Sequence, residues 1–205
     1  MENTKNHWES VYTTKALEEV SWYEEVPTTS LNFLSEAKIS HDAKIIDIGG
    51  GDSLFVDHLL KLGYKDITVL DISENAIKRA KERLGALGDE VKWIVSDATQ
   101  FQPIEKYDFW HDRAVFHFIT LEQDIHTYLS IIEKGLKENG ILVVGTFSED
   151  GPKKCSGIEI KQYSESELVE RFEKFLKVKC LNTNHQTPFN TIQNFTFCSF
   201  RKNRN

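Results

Sequence analysis

The chain predicts an α/β fold in three layers, a mostly parallel sheet with helices on both faces that ends in a C-terminal antiparallel strand pair. Three observations carry that expectation. From Lys44 to Phe147, short apolar runs alternate with amphipathic stretches, as successive strand and helix units do. The first run, Lys44 to Ile48, enters Gly49-Gly50-Gly51, and the second ends at Asp71, 20 residues beyond Gly51. That is the spacing of a glycine turn and an acid that share a nucleotide. The last two strand candidates are joined without a helical stretch, whereas a parallel return needs a crossover, usually helical.

The strands expected in the parallel part are Lys44 to Ile48, Ile67 to Asp71, Val91 to Ser96, Tyr107 to His111 and Ile141 to Thr146. Between the first two, Ser53 can cap a helix with Leu54, Phe55, His58, Leu59 and Leu62 on one stripe, stopped by Gly63. Ser73 caps Glu74 to Leu84, with Gly85 as the stop. Thr120 with Gln123 fits a capping box and opens a helix in which Ile125, Leu129, Ile132 and Leu136 recur at helical spacing. Ser164 and Glu167 open a further helix through Leu176, and strands follow at Val178 to Leu181 and Phe195 to Phe200. Neither repeats nor low-complexity runs nor a linker interrupt the chain, so residues 1–205 read as one domain.

A net charge of -7 argues against a nucleic-acid partner, because a phosphate backbone is held by clustered Lys and Arg. Met1 to Asn6 lack the apolar core of a signal peptide, and no run approaches the eighteen or so apolar residues of a membrane span. The expectation is a soluble, cytoplasmic protein with no membrane partner. The three cysteines, Cys155, Cys180 and Cys198, show no metal-type spacing and no disulfide framework. No metal is expected, and Cys180 and Cys198, in apolar strand-like runs, read as ordinary buried packing. Cys155 lies in the loop Gly151-Pro152-Lys153-Lys154-Cys155-Ser156-Gly157, where function is more frequent.

The glycine segment continues Asp52-Ser53-Leu54, so the third glycine of a dinucleotide G-x-G-x-x-G is replaced by Leu54. That weakens an NAD reading. A turn holding a ribose and a methionine-like tail, with no phosphate, tolerates leucine there and has Asp47 as a polar anchor.

At these residues the chain resembles the class I S-adenosylmethionine-dependent methyltransferases, over nearly its whole length. Asp47 to Gly51 look like their first motif, Asp71 like the acid closing their second strand, and Ser96-Asp97-Ala98 like the third motif. The resemblance implies a single-domain Rossmann-like methyltransferase fold with a seven-stranded sheet. It implies S-adenosyl-L-methionine as cofactor and S-adenosyl-L-homocysteine as product. Asp47, Gly49, Gly50 and Gly51 would face the methionine part, Asp71 the ribose hydroxyls, and Asp97 with Ala98 the adenine, whose face packs on Ile72. Ser53 stands where the family usually has its last motif glycine. Residues 1–42 would form an aromatic lid, 43–147 the cofactor-binding core, and 148–205 the substrate-side loop, helix and strand pair. Each of these residues also has a plainer reading: Asp71 as a helix cap, Asp97 as a turn acid, Ile72 as core.

The run Tyr107 to Phe118 occupies the place of the fourth family motif, where a strand end faces the transferable methyl group. Open parallel sheets bind ligands at the carboxyl ends of their strands, and His111, Asp112, Arg113 and His117 gather at this one. Methyl transfer asks the protein for positioning and, for some acceptors, for removal of a proton. His111, Asp112 and His117 are therefore the catalytic candidates, with His111 also beside the cofactor and a buried structural His117 as the alternative. Trp8 and Tyr12 are candidates for the lid over the sulfonium, which cation–aromatic attraction favours. Trp22, Tyr23, Arg113, Cys155 and His185 are candidates for the acceptor side. Neither Asn-Pro-Pro-Tyr nor Asp-Pro-Pro-Tyr occurs, which turns the expectation from nucleobases to a small polar or thiol-bearing acceptor, with a protein lysine as the alternative. An NAD-binding oxidoreductase and a non-enzymatic cofactor-binding module are the competing classes. The sequence leaves the oligomeric state open.

Overall fold

A computed structural model describes residues 2–203. The strands are β1 (Lys44–Ile48), β2 (Asp66–Asp71), β3 (Val91–Val95), β4 (Tyr107–Arg113), β5 (Leu136–Phe147), β6 (Lys154–Cys155), β7 (Ile158–Glu159), β8 (Phe175–Gln186) and β9 (Ile192–Lys202). The α-helices are α1 (Glu2–Thr14), α2 (Thr28–Ala37), α3 (Phe55–Lys61), α4 (Glu74–Leu84), α5 (Glu122–Gly135) and α6 (Glu165–Arg171). Seven strands form one sheet in the order β3-β2-β1-β4-β5-β9-β8, and β6 and β7 form a separate hairpin. β1 to β5 pair parallel, while β9 runs antiparallel to both β5 and β8. The helix-free connection between β8 and β9 has the antiparallel outcome that its length required.

Alternate residues of each strand point to opposite faces, and both faces are covered. Ile45, Ile67, Phe109 and Val143 pack with Phe33 and Leu34 of α2 and Phe55, Val56 and Leu59 of α3. Ile46, Leu70, Trp110 and Leu142 face the other way, toward Ile125, Tyr128 and Ile132 of α5 and Leu168 of α6. The strands between two such layers bury apolar residues on both faces, Ile45, Ile46 and Ile48 in β1 and Phe109 and Trp110 in β4, while Asp47 and His111 to Arg113 gather toward their carboxyl ends.

Several local expectations are corrected. α3 begins at Phe55; Ser53 Oγ accepts from the Phe55 N–H at 3.1 Å, but Leu62 is 51% exposed and Val56 takes its place in the core. The Thr120–Gln123 box does not form, since α5 starts at Glu122 after Leu121, with no side-chain cap. The Ser164–Glu167 box does form, yet α6 stops at Arg171 and Leu176 already belongs to the exposed edge strand β8. Most consequential, Cys180 and Cys198 are not two separate packed thiols but a disulfide. The β8–β9 register sets them directly opposite each other, with Cα atoms 4.1 Å apart, so their side chains meet across the strand pair.

α1 is tied down by the start of α4. Ser73 is the N-cap of α4, and Glu9 reaches the same turn: its Oε1 accepts from the Glu74 N–H at 2.7 Å, and its Oε2 from the Asn75 N–H at 3.1 Å and Ser73 Oγ at 2.9 Å. A carboxylate at free helix N–H groups is favoured by hydrogen bonding and by the helix dipole. Burial acts against the Glu9 charge, and these donors hold its carboxyl below the usual range. Arg79 of α4 closes the other end of α1 by donating to the carbonyls of Tyr12 at 2.9 Å and Lys15 at 2.6 Å. Trp8 and Tyr12 are thereby held over the carboxyl ends of the strands.

Candidate functional site

A cavity of about 370 Å³ opens at the carboxyl ends of β1, β2, β3 and β4, with α1 and the segment before α2 above it. The turn after β1 makes its base. Gly49 has φ +66°, and a Cβ there would run into Val115; at Gly51 φ is +36° and a Cβ would lie 2.5 Å from Asp71 Oδ2. Both positions thus need glycine on two counts, conformation and close approach. Asp71, at the end of β2, lines the cavity and gives one oxygen to the Ser73 N–H at 2.8 Å. Burial, with Asp47 and Glu9 nearby, pushes its carboxyl up to about 7 against the opposing bond from Ser73.

Of the residues picked out for the cofactor, Trp8, Tyr12, Asp47, Gly49, Gly50, Asp71, Ile72, Asp97, Ala98 and His111 line this cavity. Gly51 does not; it makes room for Asp71 from behind. Asp97 also closes its own turn, its Oδ1 accepting from Thr99 N at 2.8 Å and Thr99 Oγ1 at 2.7 Å.

The catalytic candidates separate. His111 lines the cavity, with Nδ1 2.7 Å from Asp47 Oδ1 and Nε2 2.8 Å from Ser30 Oγ. Asp112 is fully buried beneath it: Oδ1 accepts from the Val115 and Phe116 N–H groups at 2.9 and 3.2 Å, and Oδ2 from the Tyr128 hydroxyl at 2.6 Å. Burial pushes Asp112 up to about 6, opposed by those donors. It shapes the turn after β4 and does not reach the cavity. His117 is also fully buried, its Nδ1 accepting from the Phe147 N–H at 3.2 Å. Burial, reinforced by Arg113, takes it down to about 3, so the ring stays neutral. Both His117 and Asp112 thus lie buried outside the residues that line the cavity, as the plainer reading of His117 has it.

On the acceptor side, Trp22, Tyr23, Arg113 and Cys155 line the cavity, together with Glu24, Ser30, Phe118 and Asp124, which the sequence did not mark. Arg113 donates to the Trp22 carbonyl at 3.3 Å, pairs with Glu24 at 3.3 Å and lies 5.0 Å over the Phe195 ring. Burial would raise Glu24, but Arg113 and His185 hold its carboxyl below the usual range. His185 is not in the cavity. It stands behind Glu24 in a neighbouring pocket, with Nδ1 2.9 Å from Glu24 and Nε2 2.7 Å from the Ser21 carbonyl. Cys155 is buried, and burial pushes its thiol up to about 11, with Arg113 opposing. Trp8 packs edge-on against Trp22 and Phe118 at 5.6 and 5.3 Å and leans on Tyr12 at 6.2 Å, making an aromatic roof.

The donor set decides between cofactors. Arg113 is the sole Lys or Arg among the residues lining the cavity, and it is engaged on the acceptor side. Where a pyrophosphate would meet the start of α3, the cavity presents the carboxylate of Asp52, itself paired to Arg79 at 2.8 Å and to Arg83. With Arg113 engaged and Asp52 tied up by two guanidinium groups, the lining suits a phosphate-free nucleoside, with Asp71 an acceptor for ribose hydroxyls.

Residues 46–142, just under half of the chain, match a family described as a methyltransferase domain, a likeness in line with the class I S-adenosylmethionine-dependent methyltransferases. S-adenosyl-L-methionine is the cofactor of that class. Malonyl-[acyl-carrier protein] O-methyltransferase 2 of Ilyobacter polytropus is 32% identical over 107 residues, covering 52% of this chain and 40% of that protein. Human EEF1A lysine methyltransferase 2 is 26% identical over 159 residues, covering 69% of this chain and 66% of that protein. The match thus spans less than two thirds of either relative. Among solved structures, the N-methyltransferase NodS of Bradyrhizobium japonicum with S-adenosyl-l-homocysteine superposes with a TM-score of 0.73 at 18% identity, covering 97% of this chain and 100% of that one. At that identity the likeness is one of fold. Among the described residues no helix is long and apolar enough to cross a membrane, and no cluster of His, Cys, Asp and Glu could hold a metal ion.

Proposed function

We propose that the chain transfers the methyl group of S-adenosyl-L-methionine to a small polar or thiol-bearing molecule. The observation that carries this reading is the cavity itself. Carboxylates stand at or just beyond the carboxyl ends of β1, β2 and β3, the one lining arginine, Arg113, is paired with Glu24, and an aromatic roof covers the cavity. The cofactor supplies an electrophilic methyl carbon on a sulfonium. The protein's share is to hold and to exclude water: Asp71 and Asp97 accept from hydroxyl and amino groups, and Trp8 and Tyr12 offer ring faces to positive charge. Trp22, Tyr23, Arg113 and Cys155 surround the acceptor, with Glu24 fixing Arg113 and His185 fixing Glu24 from behind.

A protein lysine is the second reading, supported by the likeness to the lysine methyltransferase and by Glu24 and Asp124 among the lining residues. The roof argues for the small acceptor, because a lysine on a folded partner would need an open channel. The reading places the reaction in the cytoplasm, where thiols are kept reduced, so it treats the Cys180–Cys198 bond as dispensable for transfer.

The test is a labelled-methyl transfer screen over small thiols, carboxylates and amines and over size-fractionated cell extract. Label in a small molecule is the expected result. Label confined to protein would replace it with the lysine reading, and no transfer by a protein that binds the cofactor would leave only a binding module.

A further inference from the structure

Ser30 is the least expected residue in the cavity. Position 30 belongs to no motif, yet α2 turns Ser30 inward with Phe33 and Leu34, one and the same face by helical spacing. Its side chain is buried at 1% exposure, and its hydroxyl has His111 Nε2 at 2.8 Å as partner. The other ring nitrogen, Nδ1, is 2.7 Å from Asp47 Oδ1. A carboxylate only accepts, so the proton of the neutral ring belongs on Nδ1. Nε2 is then left as the acceptor of the Ser30 O–H. A hydroxyl that donates still has lone pairs to offer, and Ser30 lines the cavity beside His111. Asp47, His111 and Ser30 thus form one hydrogen-bonded chain from the first strand to the acceptor space.

Resting on the methyl-transfer reading above, we propose that Ser30 takes the acceptor's proton and passes its own to His111. The acceptor heteroatom bonds to the methyl carbon as the carbon–sulfur bond breaks, and that bond's electron pair stays on sulfur as a neutral thioether. The acceptor's proton moves to Ser30 Oγ while the Ser30 hydroxyl proton moves to Nε2. The resulting imidazolium is balanced by Asp47, and the proton leaves to solvent on product release. Ser30 is the catalytic residue of this relay; His111 and Asp47 act through it as positioning residues. The other groups around the imidazole are Glu24 and Asp112, both charged or titratable, and the Phe55 and Phe109 rings at 4.4 and 6.5 Å. Glu24 and Asp112 spend their oxygens elsewhere, on His185 and on Val115, Phe116 and Tyr128.

The experiment compares wild type, Ser30→Ala and Ser30→Thr on two series of probes, alkyl thiols and primary amines, each graded in acidity. Binding of S-adenosylhomocysteine is measured in parallel by calorimetry. For acceptors that must lose a proton in the step, Ser30→Ala should lower kcat by about 100-fold with KM nearly unchanged. For thiols already ionised at the assay pH it should cost little, and Ser30→Thr should restore most of the loss. Affinity for S-adenosylhomocysteine should be the same in all three proteins. The ¹⁵N spectrum of His111 in the wild type should show a protonated Nδ1 and an unprotonated Nε2. An equal loss across all acidities, full activity of Ser30→Ala, or a proton on Nε2 in the neutral ring would overturn the relay alone. Absence of transfer to every thiol and amine by a wild type that binds S-adenosylhomocysteine would overturn the methyl-transfer reading, and the relay with it.

Discussion

His111 and His117 are six residues apart and look interchangeable in the sequence, and both are buried, but only His111 lines the cavity. His117 sits among Phe118 and Phe147 with one nitrogen used by the Phe147 N–H, and burial keeps it neutral. His111 reaches the cavity with both nitrogens engaged by polar side chains. No residue-type argument could separate them, because which face of the β4 turn each occupies depends on the left-handed Ala114 at φ 72° and on Asp112 closing that turn. Asp71 carries a testable consequence at this scale. Its carboxyl is raised from 3.8 to about 7 by burial in the cofactor-free protein, so between these values the native state holds more protons than the unfolded one. Stability from this group is full below the unfolded value and is lost as pH rises through about 7. Asp71→Asn removes the titration. Without cofactor, the variant should therefore melt about 10 °C above wild type at pH 8 and level with it at pH 4, by calorimetry. A variant less stable than wild type at pH 8 would contradict this origin for the shift.

Among the elements, α1 and the β8–β9 hairpin show where pattern reading stops. The aromatic content of His7 to Tyr12 was visible, but Glu9, which fastens α1 to α4, looked like any surface acid until the helix dipole beside it came into view. α2 was missed altogether, and with it Ser30, because a short helix after Pro27 with mixed polarity has no strong periodic signal. The cysteine pair was misread for a related reason: separation along the chain says nothing about register, and only the β8–β9 pairing sets Cys180 against Cys198. A bridge closing a loop of this size, 18 residues in separation, contributes about 3 kcal/mol in the chain-entropy account. Reduction, or the double change Cys180→Ser and Cys198→Ser, should lower Tm by about 5–10 °C while leaving cofactor affinity intact. An unchanged Tm would mean the bridge adds no stability, and lost affinity would mean the hairpin supports the site directly.

For the molecule as a whole, the parallel order, the glycine turn and the acid at Asp71 were legible because each follows from short-range chemistry. A buried strand is apolar, a tight turn beside a carboxylate needs glycine, and a helix-free return is antiparallel. The side of the cavity proposed for the acceptor was legible only in fragments, since Glu24, Arg113, Cys155 and Asp124 come from four separate segments and line one cavity only in the folded chain. What joins the two halves is the claim that the cavity takes a phosphate-free, cationic nucleoside. Thermal melts with S-adenosylmethionine, S-adenosylhomocysteine and NAD test that claim most directly. Near 100 Kd, either sulfur nucleoside should add about 2.7 kcal/mol, a rise of roughly 5–10 °C for a chain of this size, with no response to NAD. A rise with NAD and none with the sulfur nucleosides would contradict the account.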